Sequence, residues 1–258
     1  MIYQAKSYLF FLGRSTNAHD IHSPFVFDLV TTCFNDKSPK DWYKTLESYR
    51  NSLLINKTQI EIEDLGAGSK KLQQNKRQIS QIAKNAGITK KRALLLGRLA
   101  VYFNCSNMLE IGTSLGIATA SLALATPISK ITTLEGCRNT AKVAKDSFNR
   151  FNFKCIEMVI GNFDETLKRV LKNNTYDLIF FDGNHQKEAT LKYFSLCLDH
   201  IHNNSVFIFD DIYWSKGMHE AWQIIKSHPK VTISIDTFQW GLVFFRNEQV
   251  KQHFIIRV

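Results

Sequence analysis

The stretch Asn107-Met-Leu-Glu-Ile-Gly-Thr-Ser-Leu-Gly-Ile117 decides the fold prediction for this chain. It is a short apolar run that carries one acid, Glu110, and leads into two glycines, Gly112 and Gly116. In an open α/β sheet such a stretch forms the first strand and its turn, where the backbone approaches a ligand and a helix N-terminus faces it. The sequence therefore predicts a ligand-binding turn at this position.

Beyond this stretch, strand-like apolar segments alternate with segments of helical pattern. The predicted parallel strands cover residues 108–112, 130–135, 155–160, 176–182 and 205–210. Two further strands, 231–236 and 241–245, are separated by only four residues, which is too short for a crossover helix, so they are predicted to pair as an antiparallel hairpin. The predicted fold class is α/β, a doubly wound seven-stranded sheet, mostly parallel, that ends in an antiparallel C-terminal hairpin.

The residues before the sheet predict a helical N-terminal cap rich in aromatic side chains. Ser23 and Pro24 mark one helix start, with serine as the N-cap, and Thr89 marks the start of a helix over 88–103. The sequence thus divides into a cap with a basic connecting segment, residues 1–88, and a ligand-binding domain, residues 89–258.

The composition indicates a globular protein in a reducing compartment. Hydrophobic residues make up 44% of the 258 residues, enough for one substantial core. The five cysteines are scattered and form no CxxC pair, which argues against a disulfide framework or a zinc site. The apolar run 8–12 is too short for a secretory signal, and no segment approaches the roughly 20 apolar residues that span a bilayer. We therefore expect a soluble, cytoplasmic protein without a membrane partner.

The net charge of +10 is concentrated in one part of the sequence. Residues 65–109 contain no Asp or Glu and hold nine basic residues, which are Lys70, Lys71, Lys76, Arg77, Lys84, Lys90, Lys91, Arg92 and Arg98. One interpretation is a lysine-rich, solvated helix face. The other is a docking surface for a polyanion such as RNA.

A second glycine motif, Asp64-Leu-Gly-Ala-Gly-Ser69, competes with the opening stretch. A glycine-rich ligand loop needs a buried strand before it and a second strand about 20 to 30 residues later. The preceding residues Glu61 and Glu63 are charged, and the segment up to Lys84 is polar and helix-prone. We interpret this motif as a loop that leads into a helix.

Glu135 completes the pattern that begins at Glu110, because it stands 25 residues further on, at the end of the second predicted strand. A carboxylate at that place can accept both hydrogen bonds of a ribose diol. The Gly-x-Gly-x-x-Gly pattern is absent, and with it the pyrophosphate cradle. The residues therefore predict a site for a nucleoside without a pyrophosphate.

From Lys90 to Arg246 the chain resembles class I S-adenosylmethionine-dependent methyltransferases, and more narrowly the small-molecule O-methyltransferases of the catechol and caffeoyl-CoA type. The resemblance rests on Leu109-Glu-Ile-Gly-Thr-Ser-Leu-Gly116, Leu134-Glu135, Gly161-Asn-Phe163, Phe180-Phe-Asp-Gly-Asn-His185 and Phe209-Asp-Asp-Ile-Tyr-Trp214. These motifs are specific as a set and weak singly. The predicted closing hairpin agrees, since it distinguishes this Rossmann-like methyltransferase sheet from the all-parallel dinucleotide-binding one.

The resemblance implies how S-adenosylmethionine would be held. Glu110 and Gly112 would lie by the methionine moiety, Glu135 would bind the ribose, and Asn162 and Phe163 would flank the adenine. The implied cofactor-binding set is Glu110, Gly112, Thr113, Ser114, Gly116, Glu135, Asn162, Phe163 and Asp182, with Asp182 at the methyl-transfer centre.

The sequence departs from the family pattern at two places, and neither change removes a charge that the reaction needs. Ala118 stands where a serine is common, although Thr119 follows it. The segment Asn203-Asn-Ser205 replaces a Pro-Gly-Gly turn.

The resemblance leaves the use of a metal open. In metal-dependent relatives an Asp and an acid-amide pair bind a divalent ion, and Asp182, Asp210 and Asp211 occupy those places here. Three carboxylates at adjacent strand ends would suit Mg²⁺, which would acidify a bound hydroxyl. The alternative is that one Asp orders a loop and another caps a helix.

His185 is the candidate general base. It stands three residues after Asp182, where the catechol-type enzymes carry a lysine, and histidine titrates near neutral pH. The alternative is a hydrogen bond within the loop. Tyr213 and Trp214 are substrate-side candidates that would wall an aromatic slot, or else pack in the core.

The sequence therefore predicts methyl transfer from S-adenosylmethionine to a hydroxyl of a small, aromatic acceptor. A tRNA nucleoside hydroxyl is the alternative acceptor, motivated by the acid-free basic stretch. A non-catalytic nucleoside-binding or scaffold protein is the rival from another class. Association into a homodimer is left open.

Overall fold

The computed structural model describes residues 2–17, 20–63 and 75–258. The glycine motif of residues 64–69 and the lysines 70 and 71 lie outside the described residues. The chain divides into two compact units. We call residues 37–172 the continuous unit, and residues 1–36 with 173–258 the discontinuous unit. The predicted division into a cap, residues 1–88, and a ligand-binding domain, residues 89–258, is a different division and stays a prediction.

The continuous unit contains α-helices and strands that alternate from residue 90 onward. In chain order its elements are α3 (Trp42–Leu54), β1 (Gln59–Glu61), β2 (Lys76–Gln78), α4 (Ile79–Asn85), α5 (Lys90–Tyr102), β3 (Asn107–Ile111), α6 (Ile117–Ala125), β4 (Lys130–Glu135), α7 (Arg138–Arg150), β5 (Ile156–Ile160) and α8 (Phe163–Leu171).

The discontinuous unit combines the N-terminal helices with the second half of the sheet. Its elements are α1 (Ile2–Arg14), α2 (Pro24–Asp28), a π-helical segment (Leu29–Phe34), β6 (Leu178–Phe181), α9 (Lys187–Cys197), β7 (Val206–Asp210), α10 (Lys216–Ser227), β8 (Ile233–Asp236), β9 (Trp240–Phe244) and β10 (Gln252–Ile255).

The large sheet has eight strands and is mostly parallel, so the predicted fold class is confirmed with one strand more than the seven expected. In the continuous unit β3 pairs with β4 and β4 with β5, all parallel. In the discontinuous unit the order is β10-β8-β9-β7-β6, and β9 runs antiparallel to both β7 and β8. The predicted C-terminal hairpin is therefore present.

The additional strand, β10, pairs parallel with β8. It escaped prediction because it is only four residues long and half polar, with Gln252 and His253 at its start. By contrast, every residue of β6 and β7 is buried. Such unbroken burial is typical of central strands in a sheet covered on both faces, and it makes these strands easy to predict.

The N-terminal cap is helical as predicted, with one correction. The polar segment expected to be loop and helix contains β2, which pairs antiparallel with β1 before α4 begins at Ile79. The predicted helix starts are confirmed: the Val26 N–H donates to Ser23 Oγ, and the Arg92 N–H donates to Thr89 Oγ1, both at 3.4 Å.

Helices α3, α5 and α6 pack closely in the continuous unit. A Cβ at Gly97 of α5 would lie 2.5 Å from the ring of Trp42 in α3 and 2.9 Å from Ser121 Oγ in α6. The Ser121 hydroxyl also donates to the Ala93 carbonyl of α5. This packing fixes the start of α6, the helix that follows the glycine-rich turn. Within the described part of the chain, no helix has the length and apolar character needed to cross a bilayer.

Candidate functional site

The turn between β3 and α6 has an unusual backbone. Gly112, Ser114 and Gly116 all have positive φ, at 106°, 49° and 76°. Gly116 is the N-cap of α6, and a Cβ there would lie 2.5 Å from the ring of Phe148. Glycine is therefore required at position 116 for two reasons, the left-handed backbone and the closeness of the ring.

The end of β4 holds this turn in place. The N–H groups of Gly112 and Thr113 both donate to the Leu134 carbonyl at 3.0 Å. The N–H of Ser114 donates to Glu135 Oε2 at 2.7 Å, and the N–H of Cys137 donates to Glu135 Oε1 at 2.9 Å. The structure thus brings together the predicted residues of the glycine-rich turn and Glu135.

Burial raises the pKa of Glu135, although the backbone N–H groups of Cys137, Ser114 and Gly136 counteract this by favouring its ionised form. Oε2 accepts from Ser114 and Oε1 from Cys137, and an ionised carboxylate has about four lone-pair sites. Glu135 is therefore oriented by the protein and keeps capacity to accept from a ligand.

Glu110 lies in β3, two residues before Gly112, and is completely buried. Its Oε2 accepts hydrogen bonds from the hydroxyls of Thr119 and Thr133, the latter at 2.6 Å. The Thr113 and Thr133 hydroxyls are also 2.6 Å apart. Glu110 Oε1 is buried without a hydrogen-bond partner in the protein. A buried acceptor in this state is costly unless a ligand or water supplies a donor.

Burial raises the pKa of Glu110 from its ordinary value of 4.5 to about 7; hydrogen bonds from Thr119 and Thr133 lower it, and the nearby charge of Glu135 raises it further. The carboxylates of Glu110 and Glu135 therefore both lie beside the glycine-rich turn, and the ionised form of Glu110 is disfavoured when no cation is present. The site is suited to a ligand that carries positive charge.

This shift predicts a pH-dependent stability of the protein without ligand. In the unfolded chain Glu110 ionises near 4.5, whereas in the folded protein it stays protonated up to pH about 7. The free energy of unfolding should therefore fall as the pH rises from 4.5 to 7, by up to about 3 kcal/mol. Urea unfolding of Glu110→Gln over this range should show a flatter profile.

The matched control for this experiment is Glu157→Gln, because Glu157 is exposed and pairs with Lys130 at 3.2 Å. It should leave the pH profile unchanged. Parallel profiles of the wild type and Glu110→Gln would contradict the assignment of the shift to Glu110.

Asn162 and Phe163 lie at the turn that follows β5. Asn162 is the N-cap of α8, with its Oδ1 accepting from the Asp164 N–H at 2.9 Å, and Phe163 is the first residue of that helix. The N–H of Gly161 donates to the Glu135 carbonyl at 2.9 Å. This bond ties the turn to the end of β4, so the predicted adenine-side and ribose-side residues belong to one network.

The discontinuous unit holds the other predicted site residues. Asp182 follows β6, and its Oδ1 lies 3.6 Å from His185 Nε2. The His185 ring lies 6.5 Å from the Trp214 ring, measured between centroids. The structure therefore brings together three predicted residues, two with a catalytic role and one on the substrate side.

Asp210 and Asp211 follow the same pattern of strand end and turn. Asp210 is the last residue of β7 and is buried, and Asp211 has a left-handed backbone with φ 53°. Among the described residues, which include Asp182, Asp210 and Asp211, no three His, Cys, Asp or Glu side chains are grouped so as to hold a metal ion. The use of a divalent ion by Asp182, Asp210 and Asp211 therefore stays a prediction.

Tyr213, the other substrate-side candidate, is held within the protein. Its side chain is buried and its hydroxyl donates to Asp236 Oδ2 at 2.8 Å. Its ring stacks on His219 and Phe238, with centroids 4.6 and 4.9 Å away. Its role towards a substrate stays a prediction.

Three residues of the site were not predicted to have a role. Thr133 is the register partner of Glu110 in β3 and β4, and a polar side chain in the buried part of a strand was the available signal. Cys137 holds Glu135 through its backbone N–H, which carries no sequence signal. Tyr49, on α3, donates its hydroxyl to the Leu115 carbonyl at 2.8 Å, a contact across 66 positions of sequence.

Comparison with known proteins tests the predicted resemblance. Residues 109–212, less than half of the chain, match a family model described as a methyltransferase domain. Over that segment the predicted resemblance to class I S-adenosylmethionine-dependent methyltransferases is confirmed. No curated protein matches the sequence.

Three solved structures illustrate the shared fold. One is the Podospora anserina methyltransferase PaMTH1 with bound S-adenosylhomocysteine, at 13% identity and TM-score 0.62, covering 88% of this chain and 97% of that one. Another is a Bacillus cereus O-methyltransferase in complex with S-adenosylhomocysteine, at 18% identity and TM-score 0.56, covering 85% and 97%. The third is a Staphylococcus aureus protein described provisionally as a caffeoyl-CoA O-methyltransferase, at 19% identity and TM-score 0.55, covering 61% and 84%.

Proposed function

We propose that this protein binds S-adenosylmethionine and transfers its methyl group to a hydroxyl of a small, aromatic acceptor. The methyltransferase domain supports the reaction class, and the O-methyltransferases among the similar structures support the hydroxyl acceptor. The bound S-adenosylhomocysteine in two of those structures supports the cofactor.

The observation that carries the cofactor proposal is the unpartnered Oε1 of Glu110. It is buried beside the glycine-rich turn, and the nearby Glu135 also disfavours an uncompensated negative charge at Glu110. S-adenosylmethionine has a positively charged ammonium group, which can donate a hydrogen bond and compensate that charge. Glu110 would then bind the methionine moiety.

Glu135 would bind the ribose. Its two oxygens are oriented by the backbone N–H groups of Ser114 and Cys137, and the carboxylate keeps capacity to accept from the ribose hydroxyls. Gly112, Thr113 and Gly116 would provide the close backbone surface of the turn. Asn162 and Phe163, tied to Glu135 through Gly161, would flank the adenine.

The acceptor needs to lose a proton during the reaction. S-adenosylmethionine supplies an electrophilic methyl group when bound, and the attacking oxygen must approach it in line. His185 would take the hydroxyl proton, and Asp182, whose Oδ1 is 3.6 Å from His185 Nε2, would stabilise the protonated ring. Trp214 would pack against an aromatic acceptor beside His185.

No step of this proposal passes through a metal ion, and the comparison of activity with and without Mg²⁺ described below tests whether one is needed. Positioning of the acceptor and removal of its proton by His185 would supply the catalysis.

The test is methyl transfer from labelled S-adenosylmethionine to a panel of phenols and catechols, with and without Mg²⁺. Transfer to a phenolic oxygen, located by mass spectrometry of the product, is expected. Cofactor binding without transfer to any member of the panel would favour the non-catalytic rival. A purified protein that does not bind S-adenosylmethionine would overturn the proposal.

Replacing His185 by alanine should lower kcat by about 10² to 10³-fold, because a positioned general base contributes about that much. The affinity for S-adenosylmethionine should stay within a factor of about two, since no hydrogen bond to the cofactor is assigned to His185. Steady-state kinetics with the best acceptor, together with calorimetric titration of the cofactor, measure both quantities.

The matched control is His202→Ala. His202 also pairs with an aspartate, its Nε2 lying 2.8 Å from Asp177 Oδ1, but Asp177 precedes β6 whereas Asp182 follows it. The control should leave kcat unchanged. An equal effect of both substitutions would remove the base role of His185.

An RNA hydroxyl is the second candidate acceptor, supported by the basic stretch. Of its described members, Lys76, Lys84, Lys90 and Lys91 are exposed, and Lys90 pairs with Glu47 at 2.6 Å. If RNA is the acceptor, binding should weaken steeply with salt and be lost in Lys90→Glu/Lys91→Glu. Lys216→Glu, which reverses a charge on α10, is the control. Salt-independent or absent binding would remove this candidate.

A further inference from the structure

Tyr49 lies in the middle of α3, outside the segment that matches the methyltransferase family model. It is fully buried, and its ring packs among three phenylalanines, Phe148, Phe151 and Phe153, with centroids 5.1 to 6.3 Å away. Neighbours on several sides therefore fix the position of its hydroxyl.

That hydroxyl donates to the carbonyl oxygen of Leu115 at 2.8 Å. Leu115 stands between Ser114 and Gly116, two residues of the turn with positive φ. The N–H of the same peptide unit, contributed by Gly116, donates to the Thr113 carbonyl at 2.8 Å. The peptide between Leu115 and Gly116 is thus held at both its oxygen and its nitrogen.

The turn is therefore fixed from two directions. Glu135, at the end of β4, holds the N–H of Ser114, and Tyr49 of α3 holds the next carbonyl along the chain. Burial raises the pKa of the Tyr49 hydroxyl, so it remains a donor at neutral pH. Without this donor the buried carbonyl would have to turn towards another partner.

We propose that Tyr49 is a positioning residue for cofactor binding, and this proposal rests on the proposed binding of S-adenosylmethionine. By fixing the peptide between Leu115 and Gly116, Tyr49 keeps the Ser114 N–H directed at Glu135 and the start of α6 in place. The helix that precedes the methyltransferase domain in sequence thus contributes to the cofactor affinity without contacting the cofactor.

The test is Tyr49→Phe, which removes one oxygen and preserves the ring. The Kd for S-adenosylhomocysteine, measured calorimetrically well below the unfolding temperature, should rise about 5- to 10-fold, as expected for one lost buried hydrogen bond. Tyr43→Phe is the matched control: it makes the same change on the same helix, but the Tyr43 hydroxyl contacts Arg98 at 3.4 Å and not the turn. The control should leave Kd within about twofold.

A purely structural role of Tyr49 would lower the unfolding midpoint of Tyr49→Phe and leave Kd unchanged, and this result would overturn the proposal. Tyr49→4-aminophenylalanine, which keeps a para N–H donor, should restore the wild-type Kd. If Tyr49→Phe does not fold, the measurement on Tyr49→4-aminophenylalanine tests the proposal alone. A tenfold rise in Kd for this variant, which keeps a hydrogen-bond donor at the para position, would contradict the proposal. Failure of the wild type to bind S-adenosylhomocysteine would instead overturn the proposed function, and the role of Tyr49 with it.

Discussion

Replacing Glu135 by alanine is expected to weaken the binding of S-adenosylmethionine at least about 100-fold, since hydrogen bonds to a charged group contribute about 1.5 to 3 kcal/mol each. The substitution removes both oxygens proposed to accept from the ribose. It also leaves the N–H groups of Ser114 and Cys137 without their acceptors, at 2.7 and 2.9 Å in the wild type. The turn therefore loses a ligand contact and a structural contact together.

Calorimetric titration with S-adenosylmethionine measures this effect, and Glu135→Gln separates its two parts. Glutamine keeps acceptor capacity on one oxygen but presents an amide N–H₂ group to a backbone donor or to the ribose. Its affinity should lie between those of the wild type and Glu135→Ala. Glu157→Ala, an exposed acid on the neighbouring strand β5, is the control. Retained affinity in Glu135→Ala would place the ribose elsewhere.

Gly116→Ala should destabilise the protein by about 2 to 5 kcal/mol. A left-handed backbone costs a residue with a Cβ about 1 to 2 kcal/mol, and overpacking costs about 1 to 3 kcal/mol. Both apply, because φ is 76° and the added Cβ would lie 2.5 Å from Phe148 and 2.8 Å from Tyr49 Oη. Cofactor binding should weaken as well, since the turn and the start of α6 must shift.

Urea unfolding and cofactor titration check both effects, and a double variant separates the two causes. Gly116→Ala/Phe148→Ala removes the clash with the ring but keeps the unfavourable φ, so in a double-mutant cycle the two substitutions should destabilise less than additively. Gly217→Ala is the control, because its nearest neighbour atom would be 3.5 Å from the added Cβ. Additive effects would show that Phe148 is not the obstacle.

The fold was predictable where burial was continuous. The apolar runs of the fully buried strands β6 and β7 and the short connection between β8 and β9 left few alternatives. The short strands β1, β2 and β10 were not predicted, because they are polar and depend on a partner strand that sequence periodicity does not specify.

The residues of the candidate site were predictable where the residue type and its position in the sequence together indicate one role. Glu110, Glu135 and the glycines could be identified from their spacing, since the backbone bend and the two acids are visible in the sequence. The hydroxyls of Thr133 and Tyr49 could not, because their roles depend on strand register and on a contact between distant segments. Whether Asp182, Asp210 and Asp211 bind a metal ion depends on side-chain geometry, which three aspartates in a sequence do not determine.

The discontinuous unit imposes an order on folding during synthesis. Residues 37–172 form one unit from an uninterrupted segment. The other unit joins residues from both sides of that segment, since Thr16 pairs with Ile256 and its N–H donates to the Ile255 carbonyl at 2.8 Å. The contacts of residues 1–36 with residues 173–258 can therefore form only after the continuous unit has been synthesised, so residues 1–36 stay without these contacts while it is being made.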